Sequence, residues 1–190
     1  NIQEMDPTLK VELKYSTTDN FMKMDVYGNL ETCYMRRIPA QMLVNAHEIL
    51  KTEHPELRLL IYDGLRPRSI QWTLWNTLSD VPEKERTNFV ADPRTGSIHN
   101  FGAAVDLTVA EKNGRPLDMG THYDYFGDLA FPRLEDSLVV VGDLKQEQVN
   151  NRLILRHAMT EAGFSPITTE WWHFDSFPYK ETKTKFTIIE

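Results

Sequence analysis

Two short stretches hold residues whose types and spacing could do chemistry: "SIHNFGAAVD" from Ser97 to Asp106, and "TEWWHF" from Thr169 to Phe174. Zinc in hydrolases takes three protein ligands from His and carboxylate side chains and keeps a fourth position for water. His99, Asp106 and His173 could supply such a set. A lone histidine is more often a surface or satisfied core residue than a ligand, and E-x-x-H without a preceding His is a weak motif. Asp106 is harder to dismiss, because it sits in an apolar run and a buried carboxylate is costly unless it is paired or metal-bound. Gly102 would let the backbone turn close to the metal, since glycine tolerates either sign of φ.

Glu170 lies three residues before His173. Positions three apart in a straight strand face opposite sides, so both reach one metal only if the chain bends, and we expect that bend at Trp171–Trp172. Glu170 would then be the general base that takes a proton from water acidified by the metal. Arg66, in a loop after an apolar run, could hydrogen-bond the oxyanion of a tetrahedral intermediate.

The elements that must position these residues are readable from periodicity. Pro39 to His54 carries Met42, Leu43, Ala46, Ile49 and Leu50 at helical spacing and stops before Pro55. Leu57 to Tyr62 is an apolar run of strand length, closed by "DGLRP". Arg68 to Leu78 reads as a helix with Ile70, Leu74, Trp75 and Leu78 on one face, and Trp72 and Trp75 are expected in the core. A long loop follows from Val81 to Ser97. Ala103 to Val109 resembles a buried strand bearing Asp106, and "KNGRP" after it holds an Asn-Gly hairpin signal.

Gln146 to Ala162 spaces Val149, Leu153, Leu155, Ala158, Met159 and Ala162 as an amphipathic helix with Gly163 as its cap. Phe164 to Phe174 is rich in aromatic and β-branched residues, as strands are. After an extended N-terminal arm, the pattern therefore predicts an α+β domain, an antiparallel sheet with packed helices. His47, His54, His122 and His157 have no spacing that suits a metal, with His157 on the polar side of its helix.

Bulk properties narrow the function. The chain has 190 residues and no internal repeat or low-complexity linker, so a single domain over residues 1–190 is expected. With 21 basic against 28 acidic side chains and no long Lys/Arg cluster, nucleic acid is a poor partner. No apolar run is long enough to span a bilayer. Cys33 is the only cysteine, which excludes a disulfide framework and a thiolate-rich metal site, so any metal must be held by His and carboxylate. The chain opens at Asn1 rather than Met, which tilts the expectation toward a periplasmic or exported protein, with a cytoplasmic one as the alternative.

Taken together, Ser97-x-His99-x-x-Gly102-x-Ala104-x-Asp106 and Glu170-Trp171-Trp172-His173 resemble the signature of the bacterial zinc D-alanyl-D-alanine dipeptidases of the vancomycin-resistance type. These belong to a superfamily of zinc D,D-peptidases that shares its fold with the Hedgehog signalling domain. The resemblance implies one zinc ion on His99, Asp106 and His173, Glu170 as base and a catalytic Arg66 in "YDGLRP", which is similar to the family's "YDGYRP". It further implies that Asp124 in "GTHYDYF" binds the substrate ammonium and that Tyr15 and Ser97 line the dipeptide pocket. This chain has Tyr123 where the family segment has Phe, and Leu65 where it has Tyr.

The expected reaction is hydrolysis of a small dipeptide substrate, D-alanyl-D-alanine, to two D-alanines. A D,D-carboxypeptidase or peptidoglycan endopeptidase with the same zinc chemistry is the close alternative. A catalytically silent zinc-binding interaction domain is the third, although a structural zinc needs neither Glu170 nor Arg66.

Overall fold

The longest apolar runs form the two central strands of a five-stranded sheet. In the computed structural model, which describes residues 1–190, the strands are β1 (Lys10–Val11), β2 (Leu57–Asp63), β3 (Ala104–Glu111), β4 (Ser165–Pro166) and β5 (His173–Asp175). Their spatial order is β1-β2-β3-β5-β4. β2 with β3, β3 with β5 and β4 with β5 are antiparallel, as expected. The edge strand β1 departs from that expectation and pairs with β2 in parallel. Parallel pairing needs a long crossover, and the chain between Val11 and Leu57 supplies one that includes a helix.

Every residue from Ala104 to Ala110 is buried, so side chains that alternate between the two faces of β3 are all covered. The covering helices α2 (Arg37–Glu53) and α5 (Gln146–Glu161) pack on each other, α2 also against β2 and α5 against β3. α2 begins two residues earlier than the apolar pattern indicates, because Pro39 falls in the first turn, where its missing N–H costs nothing.

In α5 the buried face is Val149, Arg152, Leu155, Ala158 and Met159, whereas Leu153, expected in the core, is 46% exposed. An arginine holds the place where periodicity puts a leucine. In α3 (Arg68–Thr77), Trp75 is buried as expected, but Trp72 is not a core residue. It lies two positions before Leu74, on the opposite side of the helix.

Three further differences concern irregular segments. The N-terminal arm is not simply extended: it contains α1 (Ile2–Met5) and a 3-10 turn at Lys14–Ser16. The loop before Ser97 carries a 3-10 turn, Glu83–Asn88, with no buried residue. Phe164 to Phe174 is only the two short strands β4 and β5 with bends between them, so its aromatic content reflects packing of Trp171 and Trp172 rather than a continuous strand. Two short helices, α4 (Glu135–Val141) and α6 (Tyr179–Lys185), have no signal in the apolar pattern. One connected cluster of 32 buried apolar residues runs from Ile2 to Phe174.

Candidate metal centre

Strand register brings two of the candidate ligands face to face. Asp106 of β3 is the direct cross-strand partner of His173 of β5, and a bulge in β2 between Ile61 and Asp63 sets Asp63 on the other side of Asp106. His99 comes from the 3-10 turn Ile98–Phe101 that leads into β3. Ser97 caps that turn: its Oγ accepts the His99 N–H at 3.3 Å while its own N–H donates to Asn100 Oδ1 at 2.7 Å. Gly102 ends the turn at φ 69°, and a Cβ there would meet Leu65 Cδ1 at 3.0 Å and the Arg36 nitrogen at 3.2 Å. Both the backbone conformation and the lack of space require glycine. Leu65, standing where the resembled family has tyrosine, packs over it.

His99 Nε2 lies 3.2 Å from Asp106 Oδ1, His173 Nδ1 lies 2.9 Å from the same oxygen, and the two nitrogens are 3.1 Å apart. Ligand atoms placed about 2.0–2.2 Å from a tetrahedral zinc are roughly 3.3 Å from one another, so the three atoms sit close to the spacing of a zinc coordination shell. The outer nitrogens fix which ring atom faces inward. His99 Nδ1 is 2.7 Å from the Gly64 carbonyl, which can only accept, so that nitrogen carries the hydrogen and Nε2 turns its lone pair to the centre. His173 Nε2 is 2.8 Å from Asp175 Oδ1 and is fixed as a donor in the same way.

Charge agrees with this donor set. Burial opposes a charged His173, but Asp175 and then Asp106 outweigh it and raise its pKa well above the ordinary value. Burial likewise works against the Asp106 carboxylate, yet His99 and His173 hold it well below the usual range. The cluster attracts positive charge, and His99, Asp106 and His173 could hold a metal ion there.

Trp171 and Trp172 form the bend expected between Glu170 and His173, and Glu170 Oε2 is 3.9 Å from His173 Nδ1. Burial pushes the Glu170 carboxyl up, opposed by His173 and reinforced by Asp106. Arg66 is buried and locked: Nε and Nη2 donate to Asp63 Oδ2 at 2.8 and 2.6 Å, and Nη1 donates to Gln71 Oε1 at 3.0 Å. Tyr27 donates to the other Asp63 oxygen at 2.8 Å, and Arg66 lies 5.0 Å from the Tyr15 ring centre.

Asp124 has a left-handed backbone, φ 58°, unusual for a residue other than glycine. Its oxygens receive only long contacts of 3.4 Å from the Tyr15 hydroxyl and the Phe21 N–H. Burial and then Asp106 raise its pKa well above the ordinary value.

All eight residues singled out in the sequence, Tyr15, Arg66, Ser97, His99, Asp106, Asp124, Glu170 and His173, line one cavity of about 330 Å³. The remaining histidines stay outside it: His47 is buried against Asp6, and the exposed His157 meets Glu53. Sequence reasoning missed Asp63, Gln71 and Asp175, which hold Arg66 and His173 in place. Asp175 had a signal, because it lies two residues after His173 on the same strand and so on the same face. Gln71 had none, since it reaches Arg66 from a helix whose apolar pattern says nothing of its polar residues.

Known proteins resemble this chain over most of its length. The family model described as D-ala-D-ala dipeptidase, of peptidase family M15, matches residues 1–188. A D-alanyl-D-alanine dipeptidase of Escherichia coli (strain K12) is 32% identical over 169 residues, covering 89% of this chain and 79% of that protein. One of Enterococcus faecium is 28% identical over 187 residues, covering 91% and 88%. Among solved structures, the LdcB LD-carboxypeptidase aligns with a TM-score of 0.47 at 20% identity, covering 84% of this chain and 69% of that one. Since the family model spans nearly the whole sequence, the chain belongs to peptidase family M15, the D-ala-D-ala dipeptidases.

Proposed function

We propose that the protein is a zinc-dependent D-alanyl-D-alanine dipeptidase. The observation that carries the reading is the convergence of His99 Nε2, His173 Nδ1 and Asp106 Oδ1 to within 3.2 Å of one another, with the Glu170 carboxylate beside them. The relatives named for this dipeptide support the substrate.

His99, Asp106 and His173 would hold a zinc ion, which would supply Lewis acidity to polarise the scissile carbonyl and lower the pKa of water. Glu170 takes the proton of the attacking water and returns it to the leaving amine, a role favoured by burial that lifts its pKa above that of a solvated carboxylate. Arg66, held by Asp63 and Gln71 before substrate arrives, stabilises the negative charge that develops on the carbonyl oxygen without having to reorganise.

Asp124 is the ammonium site. Its weakly satisfied, buried carboxylate lacks a cation, and a free N-terminus supplies one. An acylated amine would leave it buried and unpaired, which excludes peptides extended at the N-terminus. Tyr15 closes the pocket beside Asp124, and Ser97 borders it while capping the His99 turn.

The test is release of free D-alanine by the zinc-loaded protein from D-alanyl-D-alanine and from its N-acetylated form. Cleavage of the free dipeptide is expected, lost on chelation and restored by zinc, and lowered about 10²- to 10⁴-fold by Glu170→Gln. Equal cleavage of the acylated form moves the assignment to a carboxypeptidase or endopeptidase. Zinc binding without turnover of either substrate makes the domain catalytically silent.

A further inference from the structure

Tyr123 takes no part in the steps above, yet it touches the centre. Its hydroxyl donates to Asp106 Oδ2 at 2.8 Å, the oxygen that points away from the two imidazoles. The other donor near that oxygen, Arg66 Nη2, stands at 3.7 Å, beyond hydrogen-bond reach. The phenol is held independently of Asp106. Its ring makes edge or tilted contacts with Tyr62 at 5.4 Å, Trp172 at 5.5 Å and Tyr15 at 6.1 Å, and the residue is 6% exposed. Trp172 directly precedes His173, and Asp124 directly follows Tyr123 in its left-handed conformation.

We infer that Tyr123 is a positioning residue of the metal centre: by occupying Oδ2 it keeps Asp106 a one-oxygen ligand, aimed through Oδ1, and it ties that ligand to the ammonium-binding Asp124 through one peptide. The inference rests on the reading of His99, Asp106 and His173 as metal ligands. Without the hydroxyl, Oδ2 is left buried with no partner and swings toward Arg66 or toward the ion.

Zn²⁺ affinity of the parent, Tyr123→Phe and Tyr62→Phe, measured by competition with a chromophoric chelator, tests this. Tyr62→Phe removes a hydroxyl from the same aromatic cluster without touching Asp106. Tyr123→Phe is expected to bind Zn²⁺ about 10- to 100-fold more weakly, the range seen when a ligand's hydrogen-bond partner is removed, and Tyr62→Phe as tightly as the parent. The visible absorption of the Co²⁺-loaded Tyr123→Phe protein should weaken, as a second Asp106 oxygen raises the coordination number.

Unchanged affinity and an unchanged Co²⁺ spectrum in Tyr123→Phe, beside a parent that binds Zn²⁺ tightly, would overturn the inference and leave the metal reading intact. Equal losses in both variants would overturn it too, as an effect of packing. A parent that binds no Zn²⁺, with His99→Ala indistinguishable from it, defeats the metal reading and this inference with it.

Discussion

A histidine becomes a ligand through the atom behind it. His99 leans on the Gly64 carbonyl and His173 on Asp175, and each contact settles which nitrogen is left to face Asp106. Asp175→Ala should therefore weaken Zn²⁺ binding about 10- to 100-fold while leaving the fold in place, and Asp175→Asn should lose less, because its amide oxygen can still accept the Nε2 hydrogen. Chelator competition reads both, and equal affinity in parent and Asp175→Ala would show that the ring needs no such support. At this scale the sequence was informative about residues that line the cavity. His, Asp and Glu near glycine and in apolar runs advertise their cost, whereas Asp63, Gln71 and Asp175 act on those residues from behind and look like ordinary polar side chains.

Between residue and domain stands the segment from Met119 to Leu129, which presents Tyr123 and Asp124. It contains little regular structure, only a 3-10 turn from Asp128 to Ala130, so something else must hold it. Arg152 of α5 does: Nε donates to the Met119 carbonyl at 2.7 Å, Nη2 to the Leu129 carbonyl at 2.8 Å and Nη1 to Glu135 Oε1 at 3.3 Å. Trp171 adds a bond from its indole N–H to Thr121 Oγ1 at 2.7 Å. Arg152→Ala leaves two buried carbonyls without a donor and weakens a buried ion pair, a class of change that costs about 3–5 kcal/mol. Arg156 still holds Glu135, which puts the expected loss near the lower end in urea unfolding. KM for the free dipeptide should rise more than kcat falls, and Arg152→Lys should not restore it, since one ammonium cannot span three acceptors. Helix α5 itself was legible from its period, but that period misplaced Leu153 and was silent on Arg152, because a buried arginine is stable only through partners far away in sequence. The irregular 3-10 turns and bends that aim His99 and Glu170 are likewise set by tertiary contacts, and of these only the bend at Trp171–Trp172 followed from a chemical requirement rather than from propensity.

The whole molecule depends on how its N-terminal arm is fastened. Ile2 is fully buried and Leu9 and Leu13 join the core, so the arm is part of the fold, and its polar anchor is Asp6. Asp6 Oδ1 accepts the Thr8 N–H and hydroxyl at 2.8 and 2.6 Å, and Oδ2 faces His47 Nδ1 of α2 at 2.9 Å and Lys51 Nζ at 3.5 Å. Burial works against the Asp6 charge, but Thr8 and His47 outweigh it and hold its pKa well below the usual range. His47 is fully buried and its Nε2 has no partner, so burial lowers its pKa, opposed by Asp6 and assisted by Lys51 and Arg58. Both shifts act in one direction. Unfolded His47 takes up a proton near its ordinary pKa of about 6.5 while the folded ring resists, so stability falls as pH drops from about 7 through that window. Asp6 adds a second loss below about pH 4, where the unfolded carboxylate protonates and the folded one does not. His47→Asn keeps an N–H for Asp6 and cannot titrate, and above about pH 5, where Asp6 stays ionised, subtracting its urea stability from the parent's cancels the other ionisable groups. The parent's margin over His47→Asn should shrink between about pH 7.5 and about pH 5. A margin that stays constant would mean that folding leaves the His47 pKa unchanged, and one that grows in acid would mean that the buried ring takes up its proton more readily than the unfolded one and that the arm is fastened by an ion pair instead.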